Sequence, residues 1–200
     1  MPDRLYLSCK LRGVTASNML RHYHRLLAAV PYSRLATVGG LLRVNAVSEV
    51  EPPVYEASFD PPVDPDAILK HAREFTASDC AVQFETAWDL WQYEQDWEVA
   101  PSRMTVSCFG PDYEDSDGDH LRISFGLDSL FIPDTTLPNG LFMARSNIRS
   151  LLHFAEQLDK TLTLESRRLW SESGENFAER LQAALHEDPP APELGPRLVQ

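Results

Sequence analysis

The chain has 200 residues, is 43% hydrophobic and 24% charged, and carries a formal net charge of −12. That balance is ordinary for a globular core and excludes a fibrous repeat, while the acidity argues against a general binder of nucleic-acid backbones, whose affinity comes from Lys and Arg. No apolar run reaches the roughly 18 residues that span a bilayer, and the opening MPDRLYLSCKLRG lacks the features of a secretory leader, so neither nucleic acid nor membrane is an expected partner.

Leu5, Leu7, Cys9 and Leu11 alternate with polar residues and predict a strand over 4–11. From Ser17 the apolar residues Met19, Leu20, Tyr23, Leu26, Leu27 and Val30 take helical spacing and stop before Pro31. A second strand is expected over 36–46, with Gly39 and Gly40 marking a bulge or a close backbone approach, and a third over 54–59. Asp64 and Pro65 open a helix whose stripe of Ile68, Leu69, Ala72 and Phe75 ends near Ser78. Cys80 to Leu90 then alternate over the longest strand pattern, and Met104–Cys108 and Leu121–Leu127 read as a hairpin around an acidic turn. Leu130–Ile132 is expected to extend or edge the sheet. A long helix follows from a cap at Ser146 or Asn147 through Leu162, and a weaker one spans 175–186.

Every longer strand has one apolar and one polar face, as in antiparallel sheets covered on one side. The fold class is therefore α+β: a predominantly antiparallel sheet of about six strands, helices packed on one face, in a single domain over 1–187. The element order hints at two similar βαβ-type halves joined near residue 62, and the proline-rich segment 188–200 reads as a disordered tail.

The chemistry-bearing residues mostly support bland readings. His22 and His24 lie two apart on a helix, on opposed sides of the axis, and so cannot chelate one ion together. The run Asp112, Glu114, Asp115, Asp117, Gly118, Asp119 fails the calcium-loop register, because Tyr113 and Ser124 fall where carboxylates are needed. Cys9, Cys80 and Cys108 share apolar strand faces, form no CxxC pair, and fit a reducing, cytoplasmic compartment of the bacterial type. No motif calls for a cofactor, a metal or a catalytic nucleophile.

One passage stands out. AWDLWQYEQDWEVAP places Trp88, Trp91, Tyr93 and Trp97 close together and threads Asp89, Glu94, Asp96 and Glu98 among them. Strand parity sends Trp88 into the core and Trp91 to the opposite face. Aromatics with a polar handle dominate interface hot spots, and acidic neighbours steer a basic partner. Residues 51–120 carry seventeen acidic side chains against three basic, whereas residues 1–50 carry two against seven. The leading expectation is a protein-binding module of inhibitor or immunity type that uses Trp91, Tyr93, Glu94, Asp96 and Trp97 on a basic protein. Against it stands the reading in which these aromatics merely cap the sheet. Two other functions are open: a small-molecule-binding protein or enzyme with a pocket near Tyr6, Arg43 and His71, and a homo-oligomer pairing the basic and acidic segments.

Overall fold

A computed structural model describes residues 3–48, 50–172 and 177–186. Seven strands, β1 (Arg4–Leu11), β2 (Gly40–Ala46), β3 (Tyr55–Phe59), β4 (Cys80–Tyr93), β5 (Trp97–Phe109), β6 (Leu121–Leu127) and β7 (Leu164–Ser171), form one sheet in the order β3-β2-β4-β5-β6-β1-β7. All neighbours run antiparallel. The helices are α1 (Met19–Ala29), α2 (Pro65–Ala72), α3 (Gly140–Thr161) and α4 (Phe177–His186).

The fold is α+β, as the alternation implied. Leu5, Leu7, Leu42, Val44, Val82, Phe84, Val106, Ile123 and Phe125 from the strands join Tyr23, Leu26, Ile68, Ile148, Leu151 and Phe154 from the helices in one buried cluster. The opposite face carries polar side chains. There Glu56, Arg43, Glu85 and Arg103 form a ladder of ion pairs, with Arg43 2.8 Å from Glu56 and 3.1 Å from Glu85.

Alternating directions make α1, α2 and α3 crossovers between strands that run the same way but are not neighbours. α2 carries the chain from β3 over β2 to β4, and α3 carries it from β6 over β1 to β7. The same split βαβ shape thus recurs at both ends of the sheet. The chain does not divide near residue 62, however, because β1 is clasped between β6 and β7.

Several boundaries differ from the sequence reading. β2 begins at Gly40, and residues 36–38 belong to a loop on which Val38 is 65% exposed. The tightness at Gly40 is real: a Cβ there would sit 2.4 Å from the Phe84 ring and 2.5 Å from the Glu85 carbonyl oxygen. α2 stops at Ala72, six residues before the expected end, although its cap is as expected, with the Asp64 carboxylate accepting from the Asp66 N–H at 3.0 Å. Leu130 lies in a 3-10 turn, Asp128–Phe131, rather than at a sheet edge. α3 begins at Gly140, so neither Ser146 nor Asn147 caps it. β7 was not foreseen: Arg167 and Arg168 lie on this edge strand, and charge on an edge hides the alternation that reveals a half-buried strand. The proposed tail, 188–200, lies outside the described residues. No helix among the described residues is long and apolar enough to cross a membrane.

All three cysteines are buried and free. Burial pushes the Cys9 and Cys108 thiols up to about 12 and raises that of Cys80. A thiol reagent at mildly alkaline pH should therefore leave the native protein nearly unlabelled and modify all three once urea unfolds it. Rapid native labelling of two or more would contradict the assignment of strand faces.

Candidate functional site

β4 and β5 pair over thirteen positions, from Ala81↔Phe109 to Tyr93↔Trp97. Their neighbours are shorter: β2 follows β4 only to Glu85, and β6 follows β5 only from Thr105. From Thr86↔Met104 to the turn, the hairpin therefore runs on as a two-stranded arm with no third strand among the described residues. An isolated ribbon of this kind is marginal without packing on one face.

That packing comes from beneath. Trp88, 2% exposed, lies 5.4 Å from the Phe125 ring and 6.0 Å from Phe131, and Phe154 closes on Phe125 at 6.0 Å. The edge of β4 is closed by substitutes for a strand. The Ser33 N–H donates to the Ala87 carbonyl at 2.7 Å, while the Asp89 carboxylate accepts from the Ser33 hydroxyl and from the Arg34 N–H. Farther out, the buried Asn147 carboxamide accepts from the Trp91 N–H and donates to the carbonyls of Trp91 and Leu130, each at 2.9 Å. On the free edge of β5, Pro101 offers no N–H to a further strand.

The structure brings Trp91, Tyr93 and Trp97 together and leaves all three half-buried. Tyr93 and Trp97 face each other across the hairpin with ring centroids 5.3 Å apart, and the Trp97 indole N–H donates to the Pro138 carbonyl. With Leu130, Ile132, Leu137 and Arg180, the three aromatics line a groove of about 540 Å³. They cover the end of the arm and wall an open groove. Glu94 and Asp96 are exposed at the turn, where the Asp96 carboxylate accepts from the Trp97 N–H at 2.8 Å. Asp134 adds a further anion to the groove wall, and its bonds from Thr136 hold its carboxyl below the usual range.

Three contributors escaped the sequence reading. Leu35, 53% exposed, and Val38 line a second groove of about 440 Å³ with Leu41, Ala87, Pro101 and Arg103. Val38 was expected in the second strand and Leu35 just before it, and only the exposure of the loop marks them. Asn147, read as a helix cap, instead anchors the arm.

The residues of the alternative pocket are dispersed. Tyr6 stacks on Trp170 at 4.5 Å, Arg43 belongs to the ion-pair ladder, and His71 bonds the Tyr55 hydroxyl. His22 is buried, whereas His24 turns outward to Asp66 at 3.1 Å. In the acidic loop, Asp117 and Asp119 both pair with Arg122, and Asp119 also accepts from Ser8. Compared with protein-family models, curated proteins and solved structures, the chain matches none.

Two substitutions test this geometry. Asn147→Leu strands three backbone groups and should lower stability by about 3 kcal/mol in urea unfolding, with faster amide exchange at Trp91. Trp88→Ala should cost about 3–5 kcal/mol, whereas Trp97→Ala, removing a half-exposed ring, should cost about 1–2 kcal/mol. Equal losses for the two tryptophans would return Trp97 to the core.

Proposed function

We propose that the protein is a binding module that engages a basic protein partner through the β4–β5 arm, in the manner of a small inhibitor or immunity protein. The observation that carries this reading is the arm itself, where Trp91, Tyr93 and Trp97 stand half-exposed around one groove beside an acidic turn. Rigid aromatics bury large area on association at little entropic cost, and they are the residues most enriched in hot spots. Glu94, Asp96 and Glu98 are exposed around them, and Arg180 is the single cation among the groove-lining residues. The apolar side chains of Leu35 and Val38 line a separate groove at the base of the arm.

The test is a comparison of the wild-type chain with the Tyr93→Ala/Trp97→Ala double variant, first shown to be folded. A basic protein retained by the wild type alone supports the reading, provided that the complex rebuilt from purified components associates more slowly as salt rises, since these charges act over about 10 Å at 0.1 M salt. The affinity loss should be roughly thirtyfold or more, the scale of a hot-spot truncation. Equal retention by both proteins, or salt-independent association, would overturn it.

A further inference from the structure

Behind the arm, on the helical side of the sheet, lies a separate cavity of about 390 Å³. Its floor is Trp88, its apolar walls are Ala29, Pro31, Tyr32 and Phe154, and Arg34, His153 and Gln157 also line it. This volume falls in the range that holds a small organic molecule.

The polar groups here are unequal. The Trp88 indole N–H is buried without a hydrogen-bond partner, which is rare for a buried donor. Asp89 also lines the cavity, but both its oxygens are engaged, by the Ser33 hydroxyl and the Arg34 N–H. The Tyr32 hydroxyl is spent on the Leu27 carbonyl at 2.9 Å, and that of Ser150 on the Ser146 carbonyl at 3.2 Å. What remains uncommitted is rich in donors: the Arg34 guanidinium, whose backbone is pinned by Asp89, together with His153 and Gln157. The complement of such a surface is an acceptor-rich anion attached to an apolar body.

We propose that this cavity is a binding site for a small organic carboxylate, its apolar body lying between Trp88, Tyr32 and Phe154 and its carboxylate held by Arg34 and His153. It is independent of the arm's groove, which shares none of its lining residues.

The probes are phenylacetate, hexanoate and benzylamine, the last an apolar body of opposite charge. The chain has four tryptophans, so their indole N–H signals are readily resolved by ¹⁵N-correlated NMR, and that of Trp88 is assigned by elimination with Trp91→Phe, Trp97→Phe and Trp170→Phe. Saturable movement of the Trp88 signal with either acid, and none with benzylamine, is the expected result. Arg34→Gln and His153→Gln replace exposed side chains and leave the core intact, and each should weaken acid binding roughly tenfold, the scale of one charge-assisted hydrogen bond. The proposal is overturned if neither acid moves the Trp88 signal at millimolar concentration, if benzylamine moves it equally, or if both variants bind the acids as the wild type does.

Discussion

A strand that outruns its neighbours must find partners for its backbone, and in this protein β4 does so from Thr86 to Tyr93, beyond the end of its pairing with β2. The Asn147 carboxamide supplies the decisive part. One side chain, 2% exposed, offers an acceptor and two donors where a neighbouring strand would offer a backbone N–H and C=O. The same amide ties the turn before α3 to the arm through Leu130, so strand, turn and helix are fixed by a single group. Leucine has the same branched skeleton at Cγ, but it would leave three backbone groups without partners, and the asymmetry between an unmade and a well-made hydrogen bond decides the outcome.

The closure of the edges follows from that constraint. An exposed ribbon would invite pairing with other chains, yet Ser33, Asp89 and Asn147 block one edge and Pro101 interrupts the other. The arm is therefore available to a partner through its side chains more than through its backbone. On the sheet's open face the ladder from Glu56 to Arg103 keeps the surface polar, while exposed apolar side chains occur at Leu35, Val38 and Val99 near the arm and also at Val50, Val54 and Phe142 away from it.

How much of this could be read from the residues depends on which force set each element. Strands with one buried face announce themselves by alternation, so β1, β4 and β6 were legible nearly to their ends, as were the burial of Trp88 and of the three cysteines. Elements fixed by tertiary contacts were not. β7 is a charged edge held by β1, the first turn of α3 lies upstream of the polar residues that mimic a cap, and the arm's extent depends on where β2 and β6 stop. The aromatic segment was visible as composition, but its groove needs Leu130, Ile132 and Leu137, which come from a loop some forty residues away. Tyr6, Arg43 and His71 failed as a constellation for the converse reason: patterning cannot tell which polar residues a sheet will separate.

β4 builds the floor of one cavity with Trp88 and the wall of another with Trp91, because successive side chains on a strand point to opposite faces. Asp89 stands between them and holds the loop that carries Arg34. α3 likewise serves both places, with Asn147 gripping the arm and His153 lining the inner cavity less than two turns farther along. A ligand that draws His153 and Arg34 together would act on the helix and the loop that fix the arm from behind. The strand between them is paired with β5 from Ala81 to Tyr93. α3 and the 33–36 loop are the two elements that hold the free edge of β4 in place of a strand.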